Sequence, residues 1–558
     1  ASYEIIDNVR YDYTYSTDAF GNKVTTVTTS YAGGSGIHSG DKFKTYTAED
    51  ANGNTVRSSD ERGSETRYTY NNKNLVTSVT DPLWRVTNYA YNDDDLLQKL
   101  SHTLDTLEIS NNFTYNENGD ITGIEHKENT ATTQSYTFTY DAFGNLTAIR
   151  QNGTALVTYS YNAYNGKLVS AVYANGRGEY YTYDALDRLA SANGASYSYD
   201  KSGALVAERD ASQIKKYVYE AGKLAQTRQV DTAANTLLLE TVYAYDAEGR
   251  LKNYIYVDQN GVKNYTVNYD GKGNVSQLYL VNNGQVYYTY DVHERLDTVD
   301  IYNGARRVSH KVYEYVEGSG GSPYSTHLVR RETFGDASTA ATYDYDAAGN
   351  IISAGVWDHV STYEYDDLNQ LVRENNETAN KTWIFTYDGS GNLLRKYELA
   401  YTTAATEDLV LPSDTDARTT VYSYGDASNG DRLTGYKGID ISYDAQGNPD
   451  KWRNERYGVS PNYWNACTLE WTGRNLTYMV TGDISYLNYS YNADGIRTSK
   501  HYSDHGMPTV YTVSYILDGT KIISETKGEI NYAPYTIEYY YDASDNVIGM
   551  RYGGADYY

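Results

Sequence analysis

The sequence predicts an all-β protein in which antiparallel hairpins repeat along the chain and form one spiralling sheet. Three observations favour this fold class. A short Tyr-Asp pattern recurs from near the start of the chain to its C-terminal end. Tyr contributes 66 of 558 residues, against 7 Phe and 6 Trp, and its half-polar ring suits half-buried strands. Only 7 Pro accompany 46 Gly, so few residues lack the N–H that a sheet requires.

The repeated element is a hairpin corner, and a clear copy spans residues 181–189. Tyr181 and Tyr183 are two residues apart, so they share one face of a strand. The carboxylate of Asp184 can fold over the following N–H groups and begin a turn, after which Leu189 opens the returning strand. In most copies a Gly stands four residues after the Tyr, where positive φ is cheap for Gly alone.

The predicted corner residues combine a strand-ending Tyr, a turn-forming Asp and, in most copies, this Gly. They are Tyr140, Asp141 and Gly144; Tyr183 and Asp184; Tyr245, Asp246 and Gly249; Tyr269, Asp270 and Gly273; Tyr345, Asp346 and Gly349; Tyr387, Asp388 and Gly391; Tyr443, Asp444 and Gly447; and Tyr541 and Asp542. We expect the Asp residues to form turns rather than to act in catalysis or calcium binding.

The spacing of the corners predicts the size of the repeat. Steps of 16 to 26 residues separate the corner tyrosines at 70, 91, 115, 140, 161, 183, 199, 219, 245, 269 and 290. A step near 22 residues fits two strands of about seven residues with a turn at each end.

A second signal marks the opposite end of each hairpin. Asn-Gly is the favoured pair for a type I′ turn, whose twist matches that of the strands it joins. It recurs at residues 152–153, 175–176, 193–194, 260–261, 283–284 and 303–304.

Repetition argues for one array rather than several domains. Residues 1–65 are the least regular and are expected to form an irregular β-rich N-terminal segment. Residues 66–558 are predicted to form a continuous array, with loop insertions near 317–323 and 401–420. The chain begins at Ala1 without an initiator Met or a signal peptide, which indicates a mature fragment or part of something larger.

Charge and cysteine content exclude several classes of protein. The formal net charge of −26 and the pI of about 4.7 argue against nucleic acid as a partner. No apolar run is long enough to span a bilayer. Cys467 is the sole cysteine, so the shape cannot depend on an intrachain disulfide.

Motifs for catalysis or cofactor binding are weak. His293-Glu294-Arg295 lacks the second His of a zinc-protease helix and falls in a corner, so these residues are expected at the surface rather than as ligands. No His stands near Cys467 in sequence. The Gly-rich loops lack the Lys-Ser/Thr of a phosphate-binding loop. Carboxylate pairs such as Asp344 and Asp346 follow from the repeat itself, although they leave a glycosidase-like pair open. The sequence therefore predicts a protein that is not an enzyme and has no cofactor or metal.

The recurring Tyr-Asp-x-x-Gly-Asn/Arg-Leu resembles the YD repeat of the RHS family, which includes the C components of bacterial Tc toxins and the teneurin ectodomain. The C-terminal part further resembles wall-associated RHS proteins of Gram-positive bacteria. The segments that carry this second resemblance are Trp471-Thr-Gly-Arg-Asn-Leu476, residues 489–500, Leu517-Asp-Gly-Thr-Lys-Ile-Ile-Ser-Glu525 and residues 541–549. The resemblance covers about residue 65 onward.

The resemblance implies that the sheet curls into a hollow shell or tube, secreted or on a bacterial cell surface. In relatives such a shell encloses a C-terminal toxin released by self-cleavage at an aspartyl-type site. The core terminus of those relatives, Asp-Pro-x-Gly, is not found before Tyr558. Asp81-Pro82 is the single Asp-Pro pair, and it resembles an internal Asp-Pro-x-x-Arg turn, so no protease role is assigned to it.

Two functions remain open from the sequence. The first is a non-enzymatic shell that encloses or presents a C-terminal effector or toxin of the parent polypeptide. The second is an extracellular structural or adhesive module whose aromatic surface binds cell-surface glycans or partner proteins, because aromatic faces suit sugar stacking.

Overall fold

The structure is a computed structural model. It describes residues 2–6, 8–33, 35–104, 106–174, 176–335, 339–425, 430–444, 446–453, 466–481, 485–492, 494–504 and 510–558.

Strands dominate the described residues, and each of the other two elements is a single 3₁₀ turn. The strands of the larger sheet are β1 Ser2–Ile6, β2 Val9–Thr17, β3 Lys23–Tyr31, β4 Lys42–Glu49, β5 Thr55–Ser59, β6 Glu65–Tyr70, β7 Val76–Thr80, β8 Val86–Tyr91, β9 Leu97–Leu104, β10 Leu107–Tyr115, β11 Ile121–Glu128, β12 Ala131–Tyr140, β13 Leu146–Gln151, β14 Thr154–Tyr161, β15 Leu168–Tyr173, β16 Gly178–Tyr183, β17 Leu189–Ala192, β18 Ala195–Tyr199, β19 Leu205–Arg209, β20 Gln213–Glu220, β21 Lys223–Asp231, β22 Leu237–Tyr245, β23 Leu251–Asp258, β24 Gly261–Tyr269, β25 Val275–Tyr279, β26 Gly284–Tyr290, β27 Leu296–Asn303, β28 Arg306–Glu317, β29 Ser325–Phe334, β30 Thr339–Tyr345, β31 Ile351–Val356, β32 His359–Tyr365, β33 Leu371–Asn376, β34 Lys381–Tyr387, β35 Leu393–Ala400, β36 Thr419–Tyr424, β37 Leu433–Tyr436 and β38 Ile439–Asp440. Those of the smaller sheet are β39 Lys451–Arg453, β40 Ala466–Thr472, β41 Asn475–Thr481, β42 Ser485–Tyr491, β43 Arg497–Asp504, β44 Val510–Asp518, β45 Lys521–Glu529, β46 Tyr535–Tyr541, β47 Val547–Tyr552 and β48 Ala555–Tyr557. The 3₁₀ turns are Val281–Asn283 and Thr406–Asp408.

The two sheets have 38 and 10 strands, and within each sheet every strand pairs antiparallel with the next along the chain. An isolated bridge between Tyr443 and Pro449 lies where one sheet gives way to the other. The predicted all-β array of antiparallel hairpins is therefore confirmed.

Most corners bend the pairing of their two strands in the same way, although the corner 18–22 keeps an unbroken register. Thr139 lies opposite Ala148, whereas the next residue, Tyr140, lies opposite Leu146, so one residue bulges out of the returning strand. The bulge tightens the local twist. Along the strand the tyrosine side of the sheet is half-buried, while the threonine between two such positions is exposed.

The hairpins give the sheet two long edges, which we name by their turns. The corner edge carries the Tyr-Asp corners, and the return edge carries the turns at the opposite strand ends. Corner-edge turns include 18–22, 50–54, 71–75, 92–96, 116–120, 141–145, 162–167, 184–188, 246–250 and 270–274, and later 291–295, 346–350, 366–370, 388–392, 444–448, 492–496 and 542–546.

Contacts between distant parts of the chain show that the sheet winds past itself. Pairs such as Arg62 with Asp346 and Gln229 with Leu517 join residues 284 and 288 positions apart. Other hydrogen bonds within the chain join residues 254 to 296 positions apart in sequence. In a chain of 558 residues this spacing makes about two turns of a spiral. We call the contact between the return edge of the first turn and the corner edge of the second turn the seam.

The main apolar core lies on this seam rather than within one hairpin. Leu239, Tyr256, Leu278 and Val286 from strands β22–β26 pack with Tyr540 and other residues of the smaller sheet. Leu239, Val286 and Tyr540 are wholly buried. Burying side chains of this size contributes roughly 1.5 to 3 kcal/mol each, so the core favours the wound form.

Not all predicted turns fall where the sequence places them. Asn152-Gly153 and Asn193-Gly194 both have positive φ, as a type I′ turn requires. Near 260–261 the two-residue loop is instead Gln259-Asn260, because Asp258 pairs with Gly261. Near 303–304 it is residues 304–305. The pairing register of two strands is set by which side chains face the buried side of the sheet, and this requirement overrides the turn preference of an Asn-Gly pair.

Three other predicted turns differ or lie outside the described residues. Residues 283–284 end a 3₁₀ turn instead of forming a type I′ turn. Asn175 is outside the described residues. The predicted corner at Tyr219 is a two-residue turn in which Ala221 and Gly222 have positive φ, because no Asp or Asn follows that Tyr.

Residues 2–59 contain strands β1–β5 and the Asp turns 18–22 and 50–54, which continue the same meander. The segment 318–324 connects β28 to β29, and most of 401–418 is an exposed connection between β35 and β36.

Candidate functional site: corners and seam

The corner Asp holds its turn together through both carboxylate oxygens. At Asp141, Oδ1 accepts hydrogen bonds from the backbone N–H groups of Phe143 and Asn145 at 2.8 and 3.0 Å. The other oxygen, Oδ2, accepts a hydrogen bond from the side-chain Nδ2 of Asn145 at 2.9 Å. The backbone closes the same loop, because Gly144 N–H donates to the Asp141 carbonyl. This is the Asx-type geometry by which Asp begins a turn.

The other predicted corners repeat this arrangement. Their Asp oxygens accept the backbone N–H and the side chain of the residue four positions later, which is Arg188, Arg250, Asn274, Asn350, Asn392, Asn448 or Asn546. Asp81 forms the same turn with Arg85, on the return edge, which fits the internal turn that Asp81-Pro82 resembles.

The corner tyrosines form a ladder that the sequence did not reveal. In most rungs the hydroxyl donates to the carbonyl of the residue that opens the returning strand of the preceding corner. Four rungs instead reach a residue inside β21, β29, β41 or β45, because Tyr245, Tyr345, Tyr491 and Tyr541 bind Leu224, Val329, Leu476 and Ile522. The ladder comprises Tyr70, Tyr91, Tyr115, Tyr140, Tyr161, Tyr183, Tyr199, Tyr245, Tyr269, Tyr290, Tyr315, Tyr345, Tyr365, Tyr387, Tyr443, Tyr491 and Tyr541. Burial raises the pKa of Tyr315 to about 12, so this phenol remains a donor throughout the physiological range.

Trp471 takes the place of a ladder tyrosine. Its indole Nε1 donates to the Pro449 carbonyl at 2.7 Å, and Pro449 is the residue after the Asp444–Asn448 turn. The requirement at this position is therefore a large aromatic donor rather than tyrosine itself.

Replacing Tyr161 with Phe tests one rung of the ladder. The change keeps the ring but removes the 2.8 Å hydrogen bond to the Leu146 carbonyl. We expect a loss of about 1 kcal/mol in local stability, measured by amide hydrogen exchange at residues 141–161. Tyr164→Phe is the control, because the Tyr164 side chain is 99% exposed. Equal effects of the two variants would contradict the ladder.

Glycine at the corner satisfies a backbone requirement. Gly144 has φ +83°, and a Cβ built there would meet no atom within 4 Å, so conformation rather than crowding disfavours other residues. Some corners carry a non-glycine residue there, including Asp187 at φ +60° and Glu294 at φ +67°. Their turn hydrogen bonds offset this strain.

The variant Gly144→Ala is expected to destabilise its corner by about 1 kcal/mol, because Ala pays the left-handed penalty. Gly271→Ala is a matched control, since Gly271 also has open space around it but no positive φ. Thermal unfolding followed by circular dichroism compares the two. A larger effect at Gly271 would overturn the backbone explanation.

The corners also predict loss of stability in acid. Hydrogen bonds from Asn145 and Arg188 lower the pKa of Asp141 and Asp184 below the ordinary 3.8. Burial alone would raise the pKa of Asp18, yet hydrogen bonds from Asn22 and its neighbours lower it to about 2. A carboxylate with a lowered folded pKa stabilises the fold above the unfolded pKa, and this stability is lost as pH falls through the folded pKa.

We therefore expect stability to fall between about pH 4 and pH 2. Corners built on Asn71, Asn92, Asn116 and Asn162 use an amide oxygen in the same place, and it does not titrate in this range. Hydrogen exchange, corrected for its intrinsic pH dependence, should show early opening at the corners of Asp18, Asp141 and Asp184. Equal opening at both kinds of corner would show that the Asp carboxylates are not responsible.

Arginines of the return edge bind the backbone of corners across the seam. Arg62 donates to the Asp346 and Ala347 carbonyls at 2.5 and 3.0 Å. Arg85 donates to the Asp366 carbonyl at 3.3 Å and to Asn369 Oδ1 at 2.7 Å. Arg177 makes the same kind of contact with the Trp471 carbonyl. Arginines of the first turn of the spiral thus bind outward-facing corner carbonyls of the second turn.

Arg295 is the most buried of the seam cations, with its side chain 3% exposed. It binds Asp291 at 2.7 Å, Asp41 at 2.6 Å, and the Thr326 carbonyl at 2.7 Å. Its guanidinium also lies over the rings of Phe43 and Tyr315. Arg295 therefore joins the first turn to two strands of the second turn.

A second buried charge group lies further along the seam. Lys263 is bound by Asp258 at 2.6 Å and by Glu538 at 2.8 Å, across 275 positions of sequence. The Asp258 side chain has no exposed surface. Such a group is costly to break, because removal of one partner leaves the others buried without compensation.

The predicted site residues line the corner edge in a row rather than surrounding one cavity. Sequence reasoning placed His293, Glu294 and Arg295 in a corner at the surface, but Arg295 is buried and His293 packs against Phe43. The signal that could have found Arg295 is the Asp-x-x-x-Arg spacing shared with Asp81 and Arg85, which pairs the turn carboxylate with a guanidinium.

Within the described residues, no group of three or more His, Cys, Asp or Glu side chains is placed to hold a metal ion. Cys467 is buried, and burial raises the pKa of its thiol, which disfavours the thiolate. The described part of the chain contains no helix with the length and apolar content that a membrane crossing requires.

Comparisons with known proteins agree with this architecture. Residues 104–255 match the teneurin YD-shell family model, and residues 50–83 match the RHS repeat model. No curated protein sequence matches the chain.

Several solved structures share the fold. Crystal structures titled TcdB2-TccC3-Cdc42 and TcdB2-TccC3-TEV each superpose with a TM-score of 0.61 at 14% identity. A Tc holotoxin pore from Photorhabdus luminescens gives 0.59 at 14% identity. Each match covers 98% of this chain and 33% of the other, so the chain spans about a third of those proteins.

These findings define a spiralling antiparallel sheet of the kind seen in the Tc toxin structures. The matches at residues 50–83 and 104–255 agree with the family resemblance that the repeats predicted. The narrower resemblance to Gram-positive wall-associated members stays a prediction.

Proposed function

We propose that the chain is a non-enzymatic wall of a hollow shell, and that the shell encloses a C-terminal effector or toxin of the same parent polypeptide. The observation that carries the proposal is the seam. A ribbon that only displayed repeats would need no contact between turns, whereas this one joins residues 254 to 296 positions apart with buried charges and an apolar core. Edges sealed in this way suit a container.

The likeness to Tc toxin structures supports the same function. An enclosed effector also fits the use of the repeated corner acids in turns, because the task of the wall is then mechanical and needs no catalytic residue. We further propose that the parent protein acts outside the cell or at its surface, where an enclosed toxin is delivered.

Limited proteolysis of the full native polypeptide, read by mass spectrometry, tests the proposal. We expect a segment after Tyr558 to resist protease while the seam is intact. The variant Arg295→Met should open the seam and make that segment cleavable, whereas Gly271→Ala should leave it protected. A C-terminal segment cleaved as fast in the wild type as in Arg295→Met, or the absence of any such segment, would refute the container.

A further inference from the structure

A buried lysine and two carboxylates lie together where the return edge of the first turn meets the second turn. Lys263 Nζ lies 2.6 Å from Asp258 Oδ2 and 2.8 Å from Glu538 Oε1. The side chains of these three residues are 7%, 0% and 14% exposed. An amine and a carboxyl group held together away from water are the two reactants of an amide bond.

The hairpin β23–β24 places the amine beside one of these carboxyl groups. Asp258 pairs with Gly261 across a two-residue loop, and Tyr256 pairs with Lys263. Asp258 and Tyr256 are two positions apart on one strand, so Asp258 and Lys263 are diagonal neighbours on one face of the sheet. That face is the buried one, because Tyr265, two positions after Lys263, is 3% exposed.

The second carboxylate comes from the other turn of the spiral. Glu538 and Tyr540 are two positions apart on β46, so they share a face of that strand. Tyr540 is wholly buried in the core of the seam. Glu538 is therefore brought to Lys263 by the meeting of the two turns, because 275 positions of sequence separate the two residues.

The Asp258 carboxyl group is held through both of its oxygens. Oδ2 accepts a hydrogen bond from Lys263, and Oδ1 accepts one from the backbone N–H of Asn260 at 2.7 Å. A fixed N–H donor on a carbonyl oxygen stabilises the negative charge that develops there when a nucleophile adds to the carbon. Asp258 is thus oriented as the electrophile of an acyl transfer, with Lys263 as the nucleophile.

We propose that Lys263 and Asp258 form an intramolecular amide bond, and that Glu538 transfers the proton in this reaction. The bond joins Nζ to Cγ and releases one water molecule. Because Glu538 belongs to the second turn, the bond forms after the sheet has wound, and it then fixes the return turn at the seam. The inference goes beyond the proposed shell, since it requires no effector.

The reaction needs no further reactant. A proton first passes from the Lys263 ammonium group to the Asp258 carboxylate, and burial favours the resulting neutral amine and acid over the charged pair. The amine nitrogen then adds to Cγ, and the carbonyl electron pair moves to Oδ1, where the Asn260 N–H stabilises it. Glu538 takes one proton from the nitrogen and passes it to the hydroxyl on Cγ. The carbonyl re-forms, the bond from Cγ to that hydroxyl breaks, and water leaves.

Intact-mass and tryptic peptide analysis of the full chain, unfolded after purification, tests the inference. The chain should weigh one water molecule less than its sequence. Trypsin cleaves after a free lysine but not after one whose amine is bonded, so cleavage after Lys263 should be lost. Residues 253–272 should then appear as one peptide that is lighter by one water molecule.

Two variants separate the roles of the carboxylates. Asp258→Ala lacks the electrophile and should keep its full mass and its cleavage after Lys263. Glu538→Gln keeps the shape of the side chain but cannot take the proton, so the bond should form at least about a hundredfold more slowly. The pair of Lys311 with Glu332 is the internal control, because its atoms are 3.0 Å apart but its side chains are 31% and 21% exposed. Cleavage after Lys311 should persist.

Four outcomes would overturn the inference. The first is a wild-type chain of full mass that trypsin cleaves after Lys263. The second is loss of water with that cleavage retained, which would place the dehydration on another group. The third is a link from Lys263 to the tryptic peptide 528–551, which would assign the bond to Glu538 instead. The fourth is equally fast bond formation in the wild type and in Glu538→Gln, which would contradict the proton transfer.

Discussion

Replacing Arg295 with Met is expected to lower the stability of the seam by about 3 to 5 kcal/mol, because it removes one member of a buried charge group. Asp291 and Asp41 would lose their shared guanidinium, and the Thr326 carbonyl would lose a donor. Met retains much of the packing against Phe43 and Tyr315, so the loss reports mainly on the polar contacts. Amide hydrogen exchange at residues 37–43 and 326–330 measures it directly.

Arg228→Met is the matched control for this variant. Arg228 is 55% exposed and lies 3.8 Å from Glu240, and such surface pairs contribute at most about 1 kcal/mol. Faster exchange confined to the seam in Arg295→Met, with little change in Arg228→Met, is the expected pattern. Similar small effects in both would mean that Arg295 does not hold the turns together.

Replacing Tyr540 with Ala is expected to cost about 3 to 5 kcal/mol, the range for removing a large ring from a core. Tyr540 is wholly buried in the cluster that joins strands β22–β27 to the smaller sheet. Its hydroxyl donates to Asp556 and accepts from Asn282, so a polar contact is lost as well. The midpoint of urea unfolding, followed by tyrosine fluorescence, should fall clearly.

Two further variants separate packing from hydrogen bonding at this position. Tyr540→Phe keeps the ring and should cost only about 1 kcal/mol. Tyr164→Ala truncates an exposed ring and should change stability by no more than about 0.5 kcal/mol. A loss in Tyr540→Phe as large as that in Tyr540→Ala would contradict the role of the ring in the core.

The local design of the protein is readable from sequence because its determinants lie within a few residues. Asp141 binds the N–H groups of Phe143 and Asn145, and Gly144 supplies the positive φ. All of these residues fall within one motif, so the repeat predicts both the turn and the all-β class. The resemblance to the RHS/YD family followed from the same motif.

The seam could not be predicted in this way. Arg62 and Asp346 lie 284 positions apart, and no local pattern indicates which turns of the spiral come together. The tyrosine ladder could not be predicted from the motif either, because each hydroxyl binds a carbonyl of the preceding hairpin. The Asn-Gly pairs at 260–261 and 303–304 each predict a turn one position away from the observed one. Strand register depends on both faces of the sheet, and a dipeptide does not report it.

The most direct test of the wound sheet asks whether its two turns meet at the seam. Glu61 and His327 are 266 positions apart in sequence but contact each other at 2.8 Å. Along an unwound ribbon they would lie roughly 100 Å apart, from a strand spacing of about 4.8 Å. Cysteines at these two positions, in a Cys467→Ala background, can be joined by a short thiol crosslinker and detected by mass spectrometry.

Cysteines at Lys99 and Glu108, which contact each other at 2.8 Å within one hairpin, calibrate the reaction. A sheet wound into two turns should give an intramolecular crosslink between positions 61 and 327 as efficient as the one within the hairpin. Full labelling of both cysteines without a crosslink between them would contradict the wound sheet.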